Sequence, residues 1–195
     1  QGWTNILSNQ MLSGLFSQII SMAQKPNGEM WLGTGRSLVN FDGISKFTPQ
    51  MSQENLDNLN RLRIDSMTYD NNEGLYLGTD FGLYYLATSS SDLEEIALDW
   101  AGGLNNTVEW VAHDAEGWLW LNLAKYRHVV RWNPKTNEVQ RYLDEVDAEF
   151  TFIDNQNNAW VGTQGEGLFR IDPSTQGVIN YNANDDANTL SSNHI

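Results

Sequence analysis

The chain has 195 residues and no cysteine, and its 11 basic and 25 acidic side chains give a formal net charge of −14. The lack of cysteine excludes a disulfide scaffold, a thiolate zinc site and a cysteine nucleophile. Because so acidic a surface repels phosphate backbones, we expect no nucleic-acid partner.

Hydrophobic residues make up 40% of the chain and include eight tryptophans, seven tyrosines and seven phenylalanines. Such a chain can bury a substantial core, which argues against disorder over its whole length. No apolar run approaches the ~18–20 residues that a membrane-spanning helix needs. Residues 1–8 lack the basic start and apolar stretch of a signal peptide, and we expect any such peptide to have been removed.

Four segments of the chain repeat one pattern, a polar turn followed by an aromatic residue within a short apolar stretch. The segments are Lys25–Thr34, Asp70–Thr79, Asp114–Leu123 and Asp154–Thr163. Their aromatic residues, which we call the anchors, are Trp31, Tyr76, Trp120 and Trp160. Because the anchors recur every 40–45 residues, the chain is predicted to be a repeat protein. The anchors are expected to be structural residues of the core.

Each repeat has the composition of a small antiparallel sheet. Alternating apolar residues, as in Ile64–Tyr69, are typical of a half-buried strand, and the Asp/Asn/Gly cluster that follows favours a tight turn. The anchor strand comes next, and a third strand follows a Gly-Leu pair. A fourth strand is predicted at Gly43–Phe47, Glu94–Trp100, Glu138–Tyr142 and Gly177–Tyr181.

Four short strands in each repeat indicate the blade of a β-propeller. A β-sandwich, which also has frequent turns, is the alternative, but it does not require a recurring Trp-x-Gly-Thr. The predicted fold is therefore all-β, with about four four-stranded antiparallel blades that form part of a larger propeller.

The predicted repeats span residues of about 12–48, 60–100, 104–143 and 146–182, and residues 188–195 resemble the start of a further repeat. The polar tract Pro49–Asn60 is predicted to be a loop between blades. Thr88–Asp92 is predicted to be a second, serine-rich loop.

The pattern Ile/Val…Asp-x-x-Gly-x-Leu/Met-Trp-Leu/Val-Gly-Thr-x-x-Gly-Leu resembles the two-component regulator propeller repeat. The resemblance runs from about residue 12 to the end and is strong in repeats two and four. In repeat one Lys25 replaces the turn Asp and Ser37 replaces the Gly. In repeat three Asn122-Leu123 replaces Gly-Thr.

Such repeats build the periplasmic sensor regions of bacterial hybrid two-component systems and of some sensor diguanylate cyclases. In that family the propellers precede an immunoglobulin-like segment, a membrane helix and a signalling domain. The resemblance therefore implies a periplasmic chain that reaches the membrane only through parts absent from it.

By this resemblance the expected partner is a small extracellular molecule such as an oligosaccharide, recognised without catalysis. Uncovered end faces of an open blade array predict either loose closure or pairing of two copies through their end blades. A scaffold that binds a partner protein is one alternative, and a glycan-processing or lyase propeller is another.

Loops after the anchor strands are the predicted ligand-binding positions, because such loops meet at one end of a propeller. The loop residues are Arg36, Asp80, Phe81, Lys125, Tyr126, Arg127, His128, Gln164 and Glu166. Trp100 and Trp110, which lie outside the anchor position, are further candidates. Lys125–His128 departs from the repeat pattern and could hold sugar hydroxyls or a carboxylate, with Tyr126 as a stacking face. A solvated loop is the alternative interpretation.

The residues predict no catalytic group, metal or cofactor. The histidines lack metal-ligand spacing, and neither a nucleophile elbow nor a phosphate-binding loop occurs. Paired acids such as Asp92–Glu95 could serve glycoside hydrolysis only if the fold sets their separation. The turns at Asp70 and Asp154 offer oxygen ligands, but they do not match a calcium loop, and turn chemistry explains their recurrence better.

Overall fold

The computed structural model describes residues 18–25, 27–35, 38–41, 46–47, 52–70, 74–87, 92–102, 106–124, 127–183 and 190–195. Within these ranges, four sheets each contain four antiparallel strands that follow one another in chain order.

The first sheet comprises β1 (Ile19–Gln24), β2 (Met30–Thr34), β3 (Leu38–Phe41) and β4 (Lys46–Phe47). The second comprises β5 (Ile64–Tyr69), β6 (Gly74–Thr79), β7 (Gly82–Ala87) and β8 (Asp92–Ile96). The third comprises β9 (Val108–His113), β10 (Leu119–Leu123), β11 (His128–Trp132) and β12 (Val139–Leu143). The fourth comprises β13 (Ala148–Ile153), β14 (Ala159–Thr163), β15 (Leu168–Asp172) and β16 (Gly177–Tyr181). Each anchor lies in the second strand of its sheet, and the sheets are β-propeller blades, which confirms the fold that the repeat predicts.

The chain divides into two compact units, Gln1–Ile96 with blades 1 and 2 and Ala97–Ile195 with blades 3 and 4. In the first unit β1 lies beside β5, and in the second unit β9 lies beside β13. The first strands of neighbouring blades therefore meet within each unit, as the inner strands of a propeller do.

The anchors of blades 1 and 3 are buried between neighbouring blades. Trp31 packs in one apolar cluster with Ile64 and Leu77 of blade 2. Trp120 is fully buried and packs in a cluster that contains Val161 of blade 4. In each unit, the second blade thus covers the face of the first blade that carries the anchor.

The tract Pro49–Asn60 is not wholly a loop, because it contains the helix α1 (Gln53–Leu59). Ser52 begins the helix, and its hydroxyl accepts a hydrogen bond from the Asn55 amide at 3.2 Å. Leu59 is 1% exposed and joins the core of the first unit. The prediction of a loop was wrong here because one buried leucine anchors a helix whose other residues are almost all polar.

The fourth strand of blade 2 ends earlier than predicted. It runs from Asp92 to Ile96, and Asp99–Ala101 forms a 3-10 turn instead of continuing the strand to Trp100. Asp92 thus belongs to a strand, whereas residues 88–91 of the predicted serine-rich loop, like residues 43–45 of the predicted fourth strand of blade 1, lie outside the described residues.

Candidate functional site

The turn between the second and third strands of a blade lies at the same edge as the chain entering its first strand. In blade 2 the Asp80 amide donates to the Arg63 carbonyl at 3.3 Å, and the Asp80 carboxylate accepts from the Arg63 amide at 2.9 Å. In blade 4 the Gln164 amide donates to the Asp147 carbonyl at 2.8 Å. We call this side of each blade the turn edge. The described loop residues that are predicted to bind ligand lie on it, namely Asp80, Phe81, Arg127, His128, Gln164 and Glu166.

The threonine that ends the anchor strand closes this turn. Thr79 Oγ1 donates to the Gly82 carbonyl at 2.8 Å and accepts from the Gly82 amide at 3.1 Å. In blade 4 Thr163 Oγ1 donates to the Gly167 carbonyl at 2.7 Å and accepts from the Glu166 amide at 3.0 Å. The recurring threonine thus closes the turn through hydrogen bonds and holds the side chains of the turn in place.

A cavity of about 330 Å³ opens at the turn edge of blade 2, beside α1. The described residues that line it are Asn58, Arg61, Leu62, Phe81, Tyr84, Leu93 and Glu95. They come from the helix end, the turn after β6 and the strands β7 and β8. This volume is at the lower end of the range for small-molecule sites, so the cavity suits a solute the size of one sugar or one amino acid.

The cavity combines an apolar wall with a polar pair. Phe81 is 48% exposed and Leu62 is 4% exposed. Tyr84 and Glu95 lie directly opposite each other on β7 and β8. Burial raises the pKa of Tyr84, and the nearby Glu95 carboxylate raises that pKa further, so the phenol stays protonated.

Among these lining residues, the sequence analysis predicted only Phe81 to bind ligand, and it named Glu95 only within a run of paired acids. Tyr84 and Glu95 lie on ordinary strand positions of the repeat, and Arg61 follows a helix that was predicted to be a loop. The spacing of Leu56, Leu59 and Leu62 was the available signal, because apolar residues three apart indicate one face of a helix.

Two predicted residues, Arg127 and Glu166, do come together, between blades 3 and 4. Arg127 Nη2 lies 3.6 Å from Glu166 Oε1 and 4.0 Å from Asp147 Oδ2. His128 Nδ1 lies 3.0 Å from Asp144 Oδ1. The cavity beside them measures about 10 Å³, which leaves room for no more than one water molecule. This cluster is therefore an ion-paired surface and not a solute pocket.

The other predicted residues do not line the blade 2 cavity within the described part of the chain. Trp110 donates its indole N–H to the Thr151 carbonyl at 2.6 Å and packs edge-on against Phe150, which joins blade 3 to blade 4. Trp100 lies partly buried in the 3-10 turn. Gln164 forms an isolated β-bridge with His194. Arg36, Lys125 and Tyr126 lie outside the described residues.

The turn aspartates Asp114 and Asp154 accept hydrogen bonds from residues of their own blades. Asp154 Oδ2 accepts from the Trp160 indole N–H at 2.9 Å, and its Oδ1 accepts from the Asn158 amide at 2.9 Å. Burial alone would raise the pKa of Asp154, but the bonds from Trp160, Asn158 and the Gln156 amide outweigh it and lower this pKa to about 2. Asp114 likewise accepts from the Trp120 indole at 3.2 Å. These carboxylates have a structural role, and no group of three or more metal-ligating side chains occurs among the described residues.

No protein-family model and no curated protein matches this chain. Solved structures do match it. The extracellular domain of the hybrid two component system BT4673 from B. thetaiotaomicron has a TM-score of 0.71, at 18% identity over 91% of this chain and 24% of that one. The corresponding domain of BT3049 from the same organism has a TM-score of 0.69, at 17% identity over 97% of this chain and 25% of that one. A streptogramin B lyase structure has a TM-score of 0.67, at 12% identity over 91% of this chain and 59% of that one.

At identities this low, the TM-scores show a shared fold alone, and that fold is the β-propeller. The extracellular regions of hybrid two-component systems to which the repeat pattern points are thus among the structures that this fold resembles. The chain spans about a quarter of the length of those two domains. In the described ranges, no helix has the length and apolar character needed to cross a bilayer.

Proposed function

We propose that this chain is part of the periplasmic sensor region of a bacterial two-component-type signalling protein, and that it binds a small extracellular solute without converting it. The observation that carries the proposal is the solute-sized cavity at the turn edge of blade 2, which contains the predicted residue Phe81. The likeness of the fold to extracellular domains of hybrid two-component systems supports the setting. Binding would act by favouring one arrangement of the receptor over another.

Three carboxyl groups of the described residues are poorly suited to act as the general acid of a glycosidase. A glycosidase needs a general acid with a raised pKa. Among the described residues, the carboxyl pKa values that depart clearly from their ordinary range, those of Glu29, Asp154 and Asp172, are all lowered. The lyase shares 12% identity with this chain, which is a likeness of fold.

A scaffold that binds a partner protein is the second candidate function. An exposed apolar row on blade 4 favours it, since Phe152 is 61% exposed and Ile179 is 47% exposed. Exposed apolar surface of this kind often marks a protein contact.

Thermal unfolding with panels of sugars, amino acids and organic acids tests the sensor proposal. A bound solute at a hundred times its Kd adds about 2.7 kcal/mol to the folded state, so at least one class should raise the Tm by several degrees. Phe81→Ala should weaken that binding by roughly tenfold, because the variant loses an aromatic contact in the cavity. Phe152→Ala, which removes an exposed ring on another blade, is the matched control and should bind as the unchanged chain does. If no class raises the Tm, small-molecule sensing is contradicted.

A further inference from the structure

Glu95 lines the blade 2 cavity, and its carboxylate has an unused acceptor. Its Oε1 atom is buried and has no hydrogen-bond partner among the described residues. A buried carboxylate oxygen without a donor costs free energy, more than a neutral group would. The cavity beside this oxygen is large enough for a ligand to supply the donor.

The blade itself does not require this polar pair. Tyr84 lies opposite Leu77, the residue after the anchor. The residues at the same register in the other blades are Val39, Val130 and Phe169. None of these three has a hydroxyl group. The tyrosine–carboxylate pair is therefore specific to blade 2, where it faces the cavity.

A positive charge lies at the same cavity. Arg61 lines it and is exposed, and its guanidinium forms no ion pair with any residue that the structure describes. By contrast, Arg63 next to it is paired with Asp65 at 2.7 Å. Within the described part of the chain, the cavity thus has a cation without an ion pair and a carboxylate oxygen without a donor, and these two groups do not pair with each other.

We propose that this cavity binds a zwitterionic solute of the amino-acid type, an inference that rests on the proposed sensor function and names its ligand class. The ligand's ammonium group donates to the Glu95 carboxylate, and its own carboxylate accepts from Arg61. The apolar part of the ligand lies against Leu62, Leu93 and the ring of Phe81.

Charge separates this class from the other solutes of similar size. A neutral sugar would give Glu95 a donor but leave Arg61 without an anion. A simple anion would leave the buried oxygen without a donor and would be repelled by the net charge of −14. A simple amine would satisfy Glu95 but would meet the positive charge of Arg61. A zwitterion satisfies both groups at once.

Calorimetric titration of the 195-residue chain with four probes tests the inference. The probes are L-leucine, isocaproate (which lacks the ammonium), isoamylamine (which lacks the carboxylate) and glucose. L-leucine should bind, and each analogue should bind roughly ten- to hundredfold more weakly, because each loses one charged hydrogen bond. Glucose should bind more weakly still.

Glu95→Gln is the diagnostic variant. It should weaken binding of L-leucine and isoamylamine by roughly ten- to hundredfold, because the ammonium contact is lost. It should not weaken binding of isocaproate, which has no ammonium group and is repelled by the carboxylate that the variant removes. Glu94→Gln is the matched control, since Glu94 is an exposed neighbour on the opposite face of β8. It should bind all four probes as the unchanged chain does. Circular dichroism of both variants should match that of the unchanged chain.

The outcomes separate the two proposals. Binding of glucose without L-leucine overturns the zwitterion inference and leaves the sensor function standing. Binding of L-leucine that Glu95→Gln does not weaken also overturns the inference, because the amino acid then binds elsewhere. Failure of all four probes overturns the inference, and the wider thermal panels decide separately whether sensing of another solute class survives.

Discussion

The residue two positions after the anchor is a glycine because close packing leaves no room for a side chain there. A Cβ atom at Gly162 would lie 2.2 Å from a ring carbon of Phe150, its partner across β13 and β14. At Gly33 the same atom would lie 2.5 Å from Met67 Cε of blade 2. Blade 3 has Asn122 at this position, and its Oδ1 accepts a hydrogen bond from Thr151 Oγ1 of blade 4 at 2.9 Å. The departure of repeat three from the pattern thus replaces close packing with a polar contact between blades.

We expect Gly162→Ala to lower the free energy of unfolding by about 1–3 kcal/mol, because the added methyl group displaces a ring in a packed interface. Gly35→Ala is the control, since a Cβ atom there meets nothing within 4 Å, and it should change the free energy by less than about 0.5 kcal/mol. Equilibrium denaturation in urea measures both. Equal effects of the two substitutions would show that the repeated glycine is not a packing requirement.

At the scale of elements, α1 depends on its surroundings. A helix of seven residues is far below the length at which isolated helices are stable in water. It is held by the Ser52 cap, by a hydrogen bond from Gln53 to Asp57 at 2.9 Å, and by burial of Leu59. Because Asn58 of this helix lines the cavity, the order of α1 contributes to the shape of the site.

We expect Ser52→Ala to destabilise α1 by about 1 kcal/mol, because the helix loses its N-terminal cap. A change of this size corresponds to about a fivefold change in a local opening equilibrium. Amide hydrogen exchange of residues 53–59 should therefore be about fivefold faster. Ser191→Ala, at an exposed serine of the second unit, should leave this exchange unchanged. Unaltered exchange in Ser52→Ala would mean that burial of Leu59 alone holds the helix.

At the scale of the whole molecule, the face of blade 4 that carries the anchor Trp160 has exposed apolar side chains. Phe152, Trp160, Arg170 and Ile179 lie opposite one another in a single row across blade 4. The face of blade 1 that carries Trp31 is covered by blade 2, and the face of blade 3 that carries Trp120 is covered by blade 4. On the corresponding face of blade 4, by contrast, Phe152 is 61% exposed. The predicted pairing of two copies through their end blades would use this row.

We expect the chain to self-associate as its concentration rises, and the double variant Phe152→Glu/Ile179→Glu to remain monomeric, because two charges in the row oppose its burial. Sedimentation velocity measures both. Val178→Glu, at a valine that is 43% exposed and lies on the opposite face of β16 from Ile179, controls for the loss of an exposed apolar side chain and should associate as the unchanged chain does. A monomer at every concentration would contradict the pairing.

The sequence alone predicted the blades, because what forms them lies close together in the chain. Asp154 accepts a hydrogen bond from the backbone amide four residues later in the chain, and Thr79 closes a turn by a hydrogen bond to the residue three positions later. Such local contacts recur with the repeat, so the strands, the turns and the position of each anchor could be inferred from the period. The exposed Phe81 could also be placed at the turn edge in this way.

Only the tertiary structure revealed the cavity. Arg61 and Tyr84 have no distinguishing local sequence, and Glu95 is one acid of a run whose spatial partners the sequence does not fix. The three residues meet because a short helix packs beside two paired strands. Whether Glu95 Oε1 has a hydrogen-bond donor depends on which side chains the fold brings near it, and none of the described residues supplies one. Strand and turn propensities act over a few residues, whereas a binding cavity depends on packing between segments that are distant in the chain.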